Sequence, residues 1–145
     1  MKKLLALLLL SPLAFAKTIN LTCEPVNMTV CLETCETLDQ TGVIRNGLAP
    51  MVNASISIEE QTIGDTKLYF LDMGLGMEFA DRLANKVVLT RDGDDLGEQF
   101  IGKNLTYSVD LLNKEYIYQV EKKENPFDLV YRQNHTCSQQ KGLFD

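Results

Sequence analysis

Residues 104–123 read NLTYSVDLLNKEYIYQVEKK, and this stretch decides the fold class. Leu105, Tyr107, Val109 and Leu111 alternate with Thr106, Ser108 and Asp110. Beyond Asn113-Lys114 the alternation resumes, with Tyr116, Tyr118 and Val120 set against Glu115, Gln119 and Glu121. Period-two alternation on both arms of a short polar break is the pattern of a β-hairpin with one buried face. With Asn113 and Lys114 as a two-residue loop, the expected pairs are Leu111 with Tyr116, Val109 with Tyr118 and Tyr107 with Val120. Each pair places two apolar side chains on one face, which a slip of one residue would undo. Asn tolerates the positive φ of a tight hairpin turn and Lys does so poorly, so the turn type stays open.

Working outward, the same short-period pattern recurs along the chain. Strands are expected over residues 18–23, 26–30, 52–59, 67–71, 86–91, 99–102 and 127–132, separated by Gly, Pro, Asn and Asp clusters. Glu24-Pro25 is expected to separate the first two, because proline cannot donate to a ladder. Residues 77–84 fit a short helix, with Met77, Ala80, Leu83 and Ala84 on one side. Eight or nine short strands with at most one or two helical turns predict a mostly β protein. Its form is a small antiparallel barrel or a sandwich.

Residues 1–16 carry the three parts of a secretory signal peptide. Lys2 and Lys3 are basic, residues 4–10 are apolar, and Ala14-Phe15-Ala16 offers small residues for cleavage. The apolar run falls short of the roughly 20 residues of a membrane span, and no second such run follows. Residues 17–145 are then a single exported domain of 129 residues, enough to bury about two-thirds of its unfolded surface. Loss of Lys2 and Lys3 lowers the basic count from 14 to 12 against 20 acidic side chains, a formal charge of −8. That surface excludes nucleic acid and anionic lipid as partners, since both are held by clustered Lys and Arg.

Cys23, Cys31, Cys35 and Cys137 form an even set in an exported chain, which reads as two disulfides with three possible pairings. The preferred set is Cys23–Cys137, joining the first and last strands, with Cys31–Cys35 across a single helical turn. Five Asn-x-Ser/Thr triplets begin at Asn20, Asn27, Asn53, Asn104 and Asn134. They are glycan acceptors in a eukaryotic secretory route, or merely the solvent side of alternating strands, and the second reading is preferred.

Little in the chain carries chemistry. The single histidine, His135, is expected as an exposed loop side chain, and no nucleophile motif accompanies it. Asp92, Asp94, Asp95 and Glu98 match a calcium loop only in part, and Asp-Gly is also an ordinary turn. Neither a metal nor another cofactor is expected, and the five tyrosines read as core. The chain resembles small exported β-rich bacterial proteins of unassigned function. The residues that carry this are Leu21-Thr22-Cys23 on the first strand, the later hairpin, Cys137 and the ending Lys141-Gly142-Leu143-Phe144. The resemblance implies a compact β fold in the cell envelope, with no activity attached to it.

Two functions follow as expectations, neither of them enzymatic. One is a binding module for a small apolar ligand or an envelope protein. The other is an acidic inhibitor of a basic hydrolase such as lysozyme, with Asp92, Asp94 and Asp95 as its contact residues.

Overall fold

The computed structural model describes residues 14–74, 76–125 and 128–139. Most of the expected leader, residues 1–13, and the Lys141–Phe144 ending of the resemblance lie outside the described residues, as does Phe127. The described residues form nine strands, β1 (Ala14–Cys31), β2 (Cys35–Leu38), β3 (Ala54–Ile63), β4 (Thr66–Asp72), β5 (Met77–Leu83), β6 (Lys86–Asp92), β7 (Lys103–Asp110), β8 (Glu115–Lys122) and β9 (Leu129–Gln139). A single short helix, α1 (Gln40–Arg45), and two 3-10 turns (Gly93–Asp95, Glu98–Phe100) complete the described elements.

From β3 to β9 each strand pairs antiparallel with the next, and β1 pairs with both β3 and β9. The sheet therefore closes into an eight-stranded antiparallel barrel, with β2 as an extra strand on β1. Closure removes the open edges of the eight barrel strands along which other chains could pair, and among the described strands the short β2 keeps a free edge. Its clasp is β1, which runs 18 residues. Residues 14–23 of β1 pair with β3, and residues 21–30 pair with β9. The ladder is not broken at Pro25. The strand absorbs the proline as a register shift between Pro25 and Asn27 opposite β9, because a bulge bends the chain without ending it. Ala14, Phe15 and Ala16 extend the β3 ladder, Ala16 opposite Gln61, and the pairing continues past the expected cleavage point with Lys17 opposite Glu60.

Three other expectations are corrected. Residues 77–84 form strand β5, not a helix. Glu78 and Ala80 sit opposite Leu71 and Tyr69 of β4, while Arg82 faces Val87 of β6. Ladder bonds on both edges outweigh the weak helical periodicity of so short a stretch. Residues 99–102 do not return as a strand; the 3-10 turns occupy that connection and β7 starts at Lys103. The loop that Gly42, Asn46, Gly47 and Pro50 lead one to expect over 42–50 holds at its start most of helix α1, which is capped by Asp39, whose carboxylate accepts from Gly42 N at 2.7 Å.

The hairpin forms with its apolar face as predicted and its register two residues away. Val109 pairs with Tyr116, Tyr107 with Tyr118, Leu105 with Val120 and Asp110 with Glu115. The loop therefore has four residues, 111–114. Asp110 Oδ1 accepts from Leu112 N and Asn113 N, each at 2.9 Å, and Cys137 N donates to the Lys114 carbonyl at 2.7 Å. Those bonds fix the wider turn, and a shift of two preserves every side chain's face.

Alternation puts one set of side chains inside. Leu21, Cys23, Ile56, Ile58, Leu71, Ala80, Val87, Leu89, Val109, Tyr116 and Cys137 pack as one buried cluster. A smaller cluster of Met28, Val43 and Met51 seats α1 beside the barrel. Gln40 anchors the chain after the helix: its amide donates to Met51 O at 2.8 Å and accepts from Met51 N at 2.9 Å.

Candidate functional site

The core cluster does not fill the whole barrel. At the end where β3 begins and β4 finishes, a cavity of about 420 Å³ opens between Val52–Ser55, Met73–Gly74 and the inner faces of β6 to β9. Its walls there are Arg91, Tyr107, Tyr116, Tyr118, Gln133 and His135. The register builds this wall. Tyr107 lies opposite Tyr118, which lies opposite Gln133; Tyr116 lies opposite His135.

The rings pack against one another. Tyr107 and Tyr118 stack with centroids 5.1 Å apart and planes at 26°. Tyr118 meets Tyr131 edge-on at 5.6 Å, and their hydroxyls lie 3.1 Å apart. Tyr116 and His135 lie 4.9 Å apart at a 38° tilt. Arg91 places its guanidinium carbon 5.3 Å over the Tyr107 ring, a cation–π contact. The same guanidinium forks onto Glu78, with Nε to Oε2 at 3.0 Å and Nη2 to Oε1 at 2.6 Å.

The electrostatics follow from burial. Desolvation is the first cause that raises the pKa of Tyr107, Tyr116 and Tyr118, and the Tyr131 hydroxyl adds to it for Tyr118. All three phenols stay protonated at neutral pH. Desolvation likewise lowers the His135 pKa, while hydrogen bonding of the ring to the backbone of Tyr116, Val52 and Gln133 pulls the other way. The imidazole is neutral, and its Nδ1 has no hydrogen-bond partner among the described residues. Besides the imidazole and the phenols, Arg91 is the one acidic or basic side chain in the lining, and Glu78 pairs with it.

His135 is thus a correction: it is 4% exposed and sits on β9, not in an exposed loop. Tyr131, Gln133, His135 and Cys137 alternate in phase along that strand, a signal that extending the last strand past Arg132 would have found. The tyrosines divide. Tyr116 belongs to the core cluster, whereas Tyr107 and Tyr118 are half-buried walls of the cavity. Their role was not legible in the sequence, whose expected register set Tyr118 opposite Val109 and not opposite Tyr107.

The cysteines pair as Cys23–Cys137 and Cys31–Cys35. Cys23 faces Cys137 directly across β1 and β9 at the barrel's seam. Cys31 and Cys35 also face each other as strand partners, across a three-residue hairpin between β1 and β2 and not across a helical turn. Two disulfides fit an oxidising, extracellular-type environment.

Asp92, Asp94 and Asp95 lie at the end of β6 and in its connection to β7, and none of them lines the cavity. Asp92 and Asp94 each meet Lys123 Nζ at 2.5 Å. Asp92 also accepts from Asp94 N at 2.9 Å, and Asp94 from Gly102 N at 2.8 Å. Hydrogen bonding to Lys123 is the first cause that lowers both carboxyl pKa values. These two carboxylates hold their own loop, and Asp95 is left exposed beside them. No family model, curated protein or solved structure matches the chain.

Proposed function

We propose that the protein is a non-enzymatic binding module of the cell envelope, exported to the periplasm or beyond, that holds a small apolar ligand in the mouth of its barrel. The observation that carries this is the tyrosine-lined cavity above a packed apolar layer, within the roughly 300–1,000 Å³ range of small-molecule sites. A barrel of eight strands has room for one small ligand where side chains leave the interior unfilled. The leader pattern and the two disulfides support export.

The test is a titration of isotope-labelled protein with benzene, cyclohexane and naphthalene, followed by NMR. Saturable shifts confined to the cavity walls are expected, and Ala54→Leu, which fills the cavity from β3, should abolish them. Shifts that map to the outer face of β4 and β5, or none at all, would overturn the reading.

The acidic-inhibitor reading has narrower support, in the exposed Asp95 and Glu98 of the β6–β7 connection. Lys123 neutralises much of the neighbouring charge. If it holds, association with lysozyme weakens as salt rises, and weakens further when Asp92, Asp94 and Asp95 are neutralised together. Salt-independent association would reject it.

A further inference from the structure

The cavity walls also bear on which molecules enter, an inference that rests on the binding reading above. We propose that the cavity takes a flat, uncharged aromatic molecule of about two fused rings, stacked against its tyrosine and histidine faces. Shape is the first ground. The walls offer the Tyr107–Tyr118 stack and the tilted Tyr116–His135 pair, surfaces that prefer an offset or edge-on ring to a puckered aliphatic body. Depth is the second. Below the cavity Val109, Val87, Leu71 and Ile58 are at most 2% exposed, so the barrel is packed there and a long acyl chain has no tunnel to follow.

Charge is the third ground. Arg91 is the one Asp, Glu, Lys or Arg side chain in the lining, and its guanidinium already forks onto Glu78. A ligand carboxylate would have to displace Glu78 or enter unmatched, and a ligand ammonium would meet Arg91 without a counter-charge. The phenols and the imidazole carry no full charge to pair with an ion, and a face of Tyr107 is already taken by Arg91. Polar groups of a neutral ligand find side-chain amides in the lining, from Asn53 and Gln133.

The experiment uses four molecules of one size on the full exported domain, by calorimetry and NMR. They are 2-naphthol (flat and neutral), decahydro-2-naphthol (the saturated skeleton), 2-naphthoate (flat and anionic) and 2-naphthylmethylammonium (flat and cationic). The expected result is that 2-naphthol binds at least tenfold tighter than each of the others, with shifts at Tyr107, Tyr116 and Tyr118. Tyr118→Leu should erase the preference for 2-naphthol over its saturated form. Tyr118→Phe, which keeps the ring and guards against a misfolded variant, should retain it. Equal affinity for the saturated compound overturns the flat-ring claim, and equal or tighter binding of either ion overturns neutrality; both leave the cavity as a binding site. If none of the four binds, or shifts fall elsewhere, the binding reading falls and this inference with it.

Discussion

Val109 and Tyr116 face each other across the β7–β8 ladder, both buried in the barrel core. This pairing, and not Val109 with Tyr118, brings Tyr107 onto Tyr118 and so makes the cavity wall. Val109→Ala removes two buried methyl groups from a site with no exposure and is expected to cost about 2 kcal/mol, read as a lower urea midpoint at unchanged slope.

Lys114 closes the same hairpin with φ +54°, in the left-handed region where a side chain crowds the backbone. Lys114→Gly should raise stability by about 0.5–1 kcal/mol in urea unfolding, the relief of strain offset in part by the greater freedom of unfolded glycine. An unchanged or lower midpoint would show that the loop bears no such strain.

The two disulfides should differ in weight. The Cys23–Cys137 bridge spans 114 residues and the Cys31–Cys35 bridge only 4. Loop-closure entropy then assigns about 5 kcal/mol to the first and about 2 kcal/mol to the second. Paired Cys→Ala variants, compared by thermal unfolding, should show the larger loss for the seam bridge. Equal losses would contradict that ranking.

Stability should fall through His135 as the pH drops below about 6.5. Its folded pKa lies below the ordinary 6.5, so the unfolded chain takes up a proton first as the pH drops. The stabilisation is complete above about 6.5 and is lost as the pH falls through the folded value. Asp92, Asp94 and Asp110 have pKa values lowered from 3.8, so their contribution is lost in a separate, more acid window. His135→Phe keeps a ring against Tyr116 and should flatten the slope of the urea midpoint below about pH 6.5; an unaltered slope would assign it to other groups.

Gly93 is buried where a Cβ would run into the carbonyl oxygens of Phe100 and Lys103. Gly93→Ala forces backbone apart and is expected to cost about 2–3 kcal/mol. Hydrogen exchange should show the damage first at Gly102 N, whose bond to Asp94 depends on the same loop.

Period-two alternation in the sequence alone determined the β class, the place of most strands and the inward set of the long hairpin. Side chains alternate across a strand whatever its neighbours, so faces are a local property. Partners are not. The two-residue offset in the hairpin, the strand at 77–83 and the passage of β1 through Pro25 were settled by hydrogen bonds to strands distant in the chain. Choice between barrel and sandwich also waited on one non-local ladder, β1 with β9. The cavity belongs to the same category. Tyr107, Tyr116, Tyr118 and Arg91 could each be read as inward or loop-side residues, but which of them meet His135 and Gln133 depends on registers summed over four strands. His135 looked exposed among its polar neighbours, and it is buried because β9 continues past it to reach Cys137 and close the barrel.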